Sequence, residues 1–118
     1  MPAGVGFAVD ATFVLVFAAV GRASHQEGDA VAGTLATAWP FLLGAVVGWA
    51  LVRALSRRWP LEVGAGISVT VATVVVGMLV RALTGQGTAP SFVGVATVAL
   101  AVLLVGWRAA VAWLTKRR

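Results

Sequence analysis

The chain has 118 residues, 60% of them hydrophobic and 11% charged, with a formal net charge of +5 and no cysteine. A soluble domain carries about one-quarter charged residues, so this composition excludes a water-soluble fold, and the lack of cysteine excludes disulfides, thiolate metal sites and thiol catalysis. Four apolar spans of about 20 residues each take up most of the length, which leaves room for one membrane domain over residues 1–118 and little else.

The positive balance would suggest nucleic acid in a soluble chain. Here the basic residues gather at the ends of apolar runs, which fits anionic head groups and topology control, so membrane lipids are the expected partner and nucleic acid is not. Arginine outnumbers lysine heavily and Ala, Val and Gly abound, a composition associated with GC-rich bacteria.

The first run predicts a helix over about 4–22. Ala19 and Gly21 are small enough for a signal-peptide cleavage site. No positive charge precedes the run, however, and Asp10 lies inside it, so a retained helix is the reading adopted. The second run predicts a helix over about 33–54, with Pro40 removing one internal hydrogen bond and kinking or loosening the turn near Ala36. The third, over about 61–82, starts with Pro60 in its first turn and Glu62 near the positive end of the helix dipole. Between Thr84 and Ser91 the chain reads as a glycine stop followed by a proline start. The last run predicts a helix over about 91–114.

Charge asymmetry sets the expected orientation. Arg53, Arg57, Arg58, Arg108, Lys116, Arg117 and Arg118 fall on one side, and only Arg22 and Arg81 on the other. By the positive-inside rule both termini and the second loop are cytoplasmic, in the inner membrane, while the loops at His25 and Gln86 face outward. The segment Arg22 to Ala30 also aligns with Arg81 to Ala89, and Gly48-Trp49 aligns with Gly106-Trp107 after a shift of one residue. Two parallel helical hairpins, an internal repeat, would follow. A chain rich in Ala, Gly and Val also aligns with itself by composition alone.

Several segments together resemble a catalogued family. They are the Asp10 helix ending in Gly21-Arg22 with Ser24-His25, Thr37-Ala38-Trp39-Pro40-Phe41, Gly77-Met78 with Arg81, Ser91-Phe92, and Gly106-Trp107-Arg108. The chain resembles small prokaryotic membrane proteins grouped as the domain of unknown function DUF3054. That resemblance implies four membrane helices and carries no activity, substrate or catalytic residue.

Two charges stand inside apolar runs. An intramembrane charge costs about 2.5 to 3.5 kcal/mol at a helix centre and usually has a partner or a wet cavity. Asp10 and Arg108 each lie six residues from the same end of their spans, roughly 9 Å deep at 1.5 Å per residue. An ion pair between them is one expectation, and exchanging the two charges should then restore a fold lost in either single variant. The alternative is that Arg108 snorkels to the lipid surface and Asp10 reaches water. Asp10 also sits where small proton-coupled exporters carry a carboxylate, although the charge bias disfavours their antiparallel dimers.

Other candidates lie near the outward end. Arg22 and Arg81 can converge on a small anion beside glycine-rich loops, with His25 and Glu27 close by; the plainer reading is that each arginine satisfies helix-terminal carbonyls, an acidic side chain or a lipid phosphate. His25, Glu27 and Asp29 offer too few ligands to fix a metal, so neither metal nor cofactor is expected. Gly44 and Gly48, and Thr73 and Gly77, have the spacing that lets helices approach closely, within one bundle or between protomers. Trp49, Trp59, Trp107 and Trp113 read as an aromatic belt.

The expected fold class is thus all-α, a polytopic integral membrane protein of four transmembrane helices. A small transporter or channel-like protein leads among functions. The competing class is a non-transporting accessory protein that binds lipid, a membrane protein partner or a second copy of itself. With no nucleophile and base, metal cluster or phosphate loop in view, an enzyme is not expected.

Overall fold

The computed structural model describes residues 1–23 and 30–117, apart from the side chains of Arg22, Ala23 and Ala30. It contains four α-helices and, among the described residues, no strand: α1 (Ala3–Ala23), α2 (Ala30–Ser56), α3 (Val63–Leu83) and α4 (Pro90–Lys116). Each is long and apolar enough to cross a membrane. Lipid offers no partner for backbone N–H and C=O groups, so valine-rich sequence that would favour strands in water is helical here.

α1 packs on α2 and α4, and α3 packs on α2 and α4, giving a square bundle in which only neighbouring helices approach backbone to backbone, while side chains meet across its centre. Residues 10, 49 and 108 meet at one end, and residues 17, 41 and 92 toward the other. α1 and α3 therefore run one way and α2 and α4 the other. The end that carries both termini and the α2–α3 connection is called the basic end below.

The closest seam lies between α2 and α3, and the loosest between α1 and α4. Small residues explain the first. A Cβ on Gly44 would stand 2.7 Å from the Thr73 carbonyl oxygen, one on Gly48 would lie 3.0 Å from Ala72 Cβ, and one on Gly77 would collide with the Phe41 ring. Gly44, Gly48, Thr73 and Gly77 are thus spent inside the bundle, and Thr73 adds a hydrogen bond to its own helix at Val69. The core beyond this seam is aromatic: Phe17 meets Phe41 edge to face at 5.5 Å, and Phe92 leans on both.

Helix ends follow local chemistry, with two departures from expectation. α3 ends in a Schellman motif, in which the Gln86 N–H donates to the Arg81 carbonyl, the Gly85 N–H to that of Ala82, and Gly85 takes φ +76°. Pro90 opens α4 at a position whose N–H would have no partner. α2 begins three residues before the expected start and runs unbroken through the buried Pro40. Pro60 and Glu62 precede α3 rather than forming its first turn. The Leu61 N–H turns back to the Trp59 carbonyl at 2.8 Å, a γ-turn centred on Pro60, and the Pro60 carbonyl is claimed by Arg108.

Candidate functional site

Asp10 and Arg108 meet in the interior near the basic end, with relative exposures of 0% and 1%. Asp10 lies on α1 two turns from its start, and Arg108 reaches across from α4. The contact is bidentate: Arg108 Nη1 donates to Asp10 Oδ1 at 2.9 Å and Nη2 donates to Oδ2 at 2.7 Å. Two indoles complete the carboxylate. Trp49 Nε1 donates to Oδ2 at 2.7 Å and Trp107 Nε1 to Oδ1 at 2.8 Å.

Each of the five guanidinium hydrogens also has an acceptor. Beyond the two bonds to Asp10, Arg108 Nε and Nη2 donate to the Pro60 carbonyl at 2.9 and 2.7 Å, and Nη1 donates to the Leu104 carbonyl at 2.8 Å. Four accepted bonds fill the lone-pair positions of an ionised carboxylate, and five donated bonds exhaust the guanidinium. Among the described residues no buried side-chain nitrogen or oxygen lacks a partner.

Glycines make the room for this cluster. A Cβ on Gly66 of α3 would lie 2.6 Å from Arg108 Cδ, and one on Gly6 of α1 would strike Leu61 and stand 3.2 Å from the Trp49 ring. Phe7 supports Trp49 edge to face at 5.5 Å, and the Arg108 guanidinium lies 4.6 Å from the Trp107 ring centre. The pair also ties together α1 and α4, which otherwise pack least. Chemically the arrangement is a closed knot: it has no vacant acceptor for a substrate cation and no open donor for an anion.

The remaining candidates fall elsewhere. Arg81 fastens the α3–α4 connection, donating from Nε to the Gly87 carbonyl at 2.9 Å and from Nη1 to Gln86 Oε1 at 3.0 Å, with its guanidinium over Phe92. The Arg22 side chain, His25, Glu27 and Asp29 lie outside the described residues, and so does any convergence of Arg22 with Arg81. Thr12, Thr70, Thr73 and Thr97 each donate to the carbonyl four residues earlier. No group of three potential metal ligands occurs among the described residues.

Sequence reasoning missed the indole donors. Trp59 and Trp113 are exposed, as an aromatic belt requires, but Trp49 is buried and Trp107 partly so, and both point their N–H at Asp10. One signal was available, since the alignment of Gly48-Trp49 on Gly106-Trp107 places two like tryptophans at one depth. The tryptophans converge on one carboxylate, while Gly48 packs on α3 and Gly106 faces open space. The Pro60 carbonyl and the glycines at 6 and 66 left no comparable mark.

Fold and centre together define a multi-pass helical membrane protein whose four helices close around a buried, fully bonded ion pair. The chain belongs to the family described as protein of unknown function DUF3054, whose family model matches residues 7–111. No curated protein and no solved structure matches it.

Proposed function

We propose that this is a non-transporting accessory protein of a bacterial inner membrane, acting through its outer faces on lipid, another membrane protein or a second copy of itself. The saturated centre carries this reading. A transport path needs polar groups that face water or exchange partners, whereas Asp10 and Arg108 satisfy each other, two indoles and two carbonyls at no exposed surface. The cavities described along the helices are lateral and mostly apolar; that between α1 and α4, about 560 Å³, is lined by residues such as Val16, Phe17, Val95 and Leu103.

In this reading the basic end faces the cytoplasm, because seven of the nine basic residues belong to it. Both termini and the α2–α3 connection would then be cytoplasmic. Asp10 and Arg108 serve as a fastener and not as a proton carrier.

A liposome assay tests this. Reconstituted protein with a pH gradient or a membrane potential imposed is expected to pass protons and small ions no faster than empty vesicles, and Asp10→Asn is expected to change nothing in that readout. A transporter built on this bundle would have to part Asp10 from Arg108 during its cycle. Flux that depends on the protein and disappears in Asp10→Asn would replace the accessory reading with that one.

A further inference from the structure

The turn that ends α2 holds an arginine where the backbone favours glycine. Arg57 has φ +62°, the only positive φ of a non-glycine residue among the described residues, in a region that side chains with a Cβ seldom enter. The turn is pinned around it. Arg53 Nη1 donates to the Arg57 carbonyl at 2.6 Å, the Arg58 N–H donates to Ser56 Oγ at 3.2 Å, and Ser56 Oγ donates to the Val52 carbonyl at 2.7 Å. Arg58 pairs with Glu62 at 2.9 Å in the open. The Arg57 guanidinium has no partner among the described residues, and the local balance is three arginines to one carboxylate.

Two cavities beside this turn share Val52, Ser56 and Ser68 in their walls, so they form one cleft between α2 and α3. The deeper part, about 370 Å³, is apolar along Gly48, Leu51, Leu55 and Ala72. The part at the basic end, about 290 Å³, is bounded by Arg58, Trp59 and Glu62. Ser68 stands where the two meet. Unlike Thr70 and Thr73 on the same helix, which donate back to Gly66 and Val69, its hydroxyl makes no hydrogen bond among the described residues.

We propose that this cleft binds one anionic phospholipid, with an acyl chain along the outer groove of α2 and α3, the ester region at Ser56 and Ser68, and the phosphate held by Arg58 of the wall together with Arg57, which lies outside the wall but next to Arg58 in the same turn. The gradient along the walls, from apolar to hydroxyl to guanidinium, follows the order of groups along such a lipid. Guanidinium matches phosphate through paired charge-assisted hydrogen bonds, and basic residues at a membrane surface draw anionic lipids. Trp59, exposed and with the Arg53 guanidinium 4.8 Å from its ring, lies at the head-group level that amphipathic rings occupy. The surplus of arginine over carboxylate in this turn favours an anionic over a zwitterionic head group, and the apolar half of the cleft favours a lipid over free phosphate. The inference deepens the lipid-binding side of the accessory reading but not its claim of a closed centre, so a conducting protein would leave it standing.

Native mass spectrometry of the detergent-solubilised protein, titrated with phosphatidylglycerol or phosphatidylcholine, tests it. A single tight adduct of phosphatidylglycerol is expected, held in preference to phosphatidylcholine. Arg57→Gly suits the observed φ, so the variant is expected to keep the wild-type unfolding midpoint without lipid while losing about fivefold in phosphatidylglycerol affinity. Ser68→Leu, which fills the cleft, is expected to weaken both lipids. Lys116→Ala with Arg117→Ala removes two charges from the same end away from the cleft and is expected to leave the adduct intact. Equal retention of the two lipids overturns the proposal. So does wild-type binding by Arg57→Gly and Ser68→Leu, or a loss in the Lys116 and Arg117 variant as large as that in Arg57→Gly.

Discussion

Asp10→Ala is expected to destabilise the protein by about 3 to 5 kcal/mol, because it strands a buried guanidinium and leaves the Trp49 and Trp107 N–H groups without their acceptor. Arg108→Ala is expected to cost a similar amount by stranding the carboxylate and the Pro60 carbonyl. Reversible unfolding in mixed micelles reads both. The double variant is expected to be no worse than the weaker single one, since the second change removes a group already stranded. Additive losses would mean that the two side chains act independently.

The charge-exchanged variant separates a simple ion pair from a built site. Judged by charge alone, Asp10→Arg with Arg108→Asp should restore the fold. The surroundings oppose that outcome: position 10 faces two indole donors, and position 108 faces the carbonyls of Pro60 and Leu104. An arginine would meet donors and an aspartate would meet acceptors. The exchanged variant is therefore expected to remain as unstable as either single one.

Gly44→Ala is expected to cost about 1 to 3 kcal/mol through overpacking, and Gly44→Val more. The added Cβ would lie 2.7 Å from the Thr73 carbonyl oxygen and 2.8 Å from Thr73 Cα. Both are backbone atoms, so no change of rotamer relieves the contact and α2 must move off α3. Gly94→Ala and Gly106→Ala meet nothing within 4 Å and are expected to stay within about 0.5 kcal/mol of wild type. Equal effects at Gly44 and Gly106 in the same unfolding assay would argue against a close α2–α3 seam.

Much of the architecture is legible in the sequence, because a bilayer imposes span length and apolar content directly. The four helices fall within a few residues of the expected spans. Pro60 is the instructive exception: a proline ahead of an apolar run reads as a first-turn residue, but here its carbonyl is drawn inward by a side chain 48 residues away. Asp10 and Arg108 stand out as charges set inside apolar runs at like depth. Their neighbours do not, since lipid makes the outward face as apolar as the inward one and the helical period no longer marks the core. Gly66 under Arg108 and Gly106 in open space look alike in sequence. So do Trp49, bonded to the carboxylate, and Trp59, exposed at the basic end.

Hydrogen exchange at the indole N–H groups, followed by NMR on 15N-tryptophan-labelled protein in lipid nanodiscs, tests the sealed centre most directly. The five tryptophans give five resonances to assign. Those of Trp49 and Trp107 are expected to persist in D2O long after those of Trp59 and Trp113, which are exposed at the basic end, have gone. If either exchanges as fast as these two exposed rings, Asp10 is open to water and the closed bundle described here is wrong.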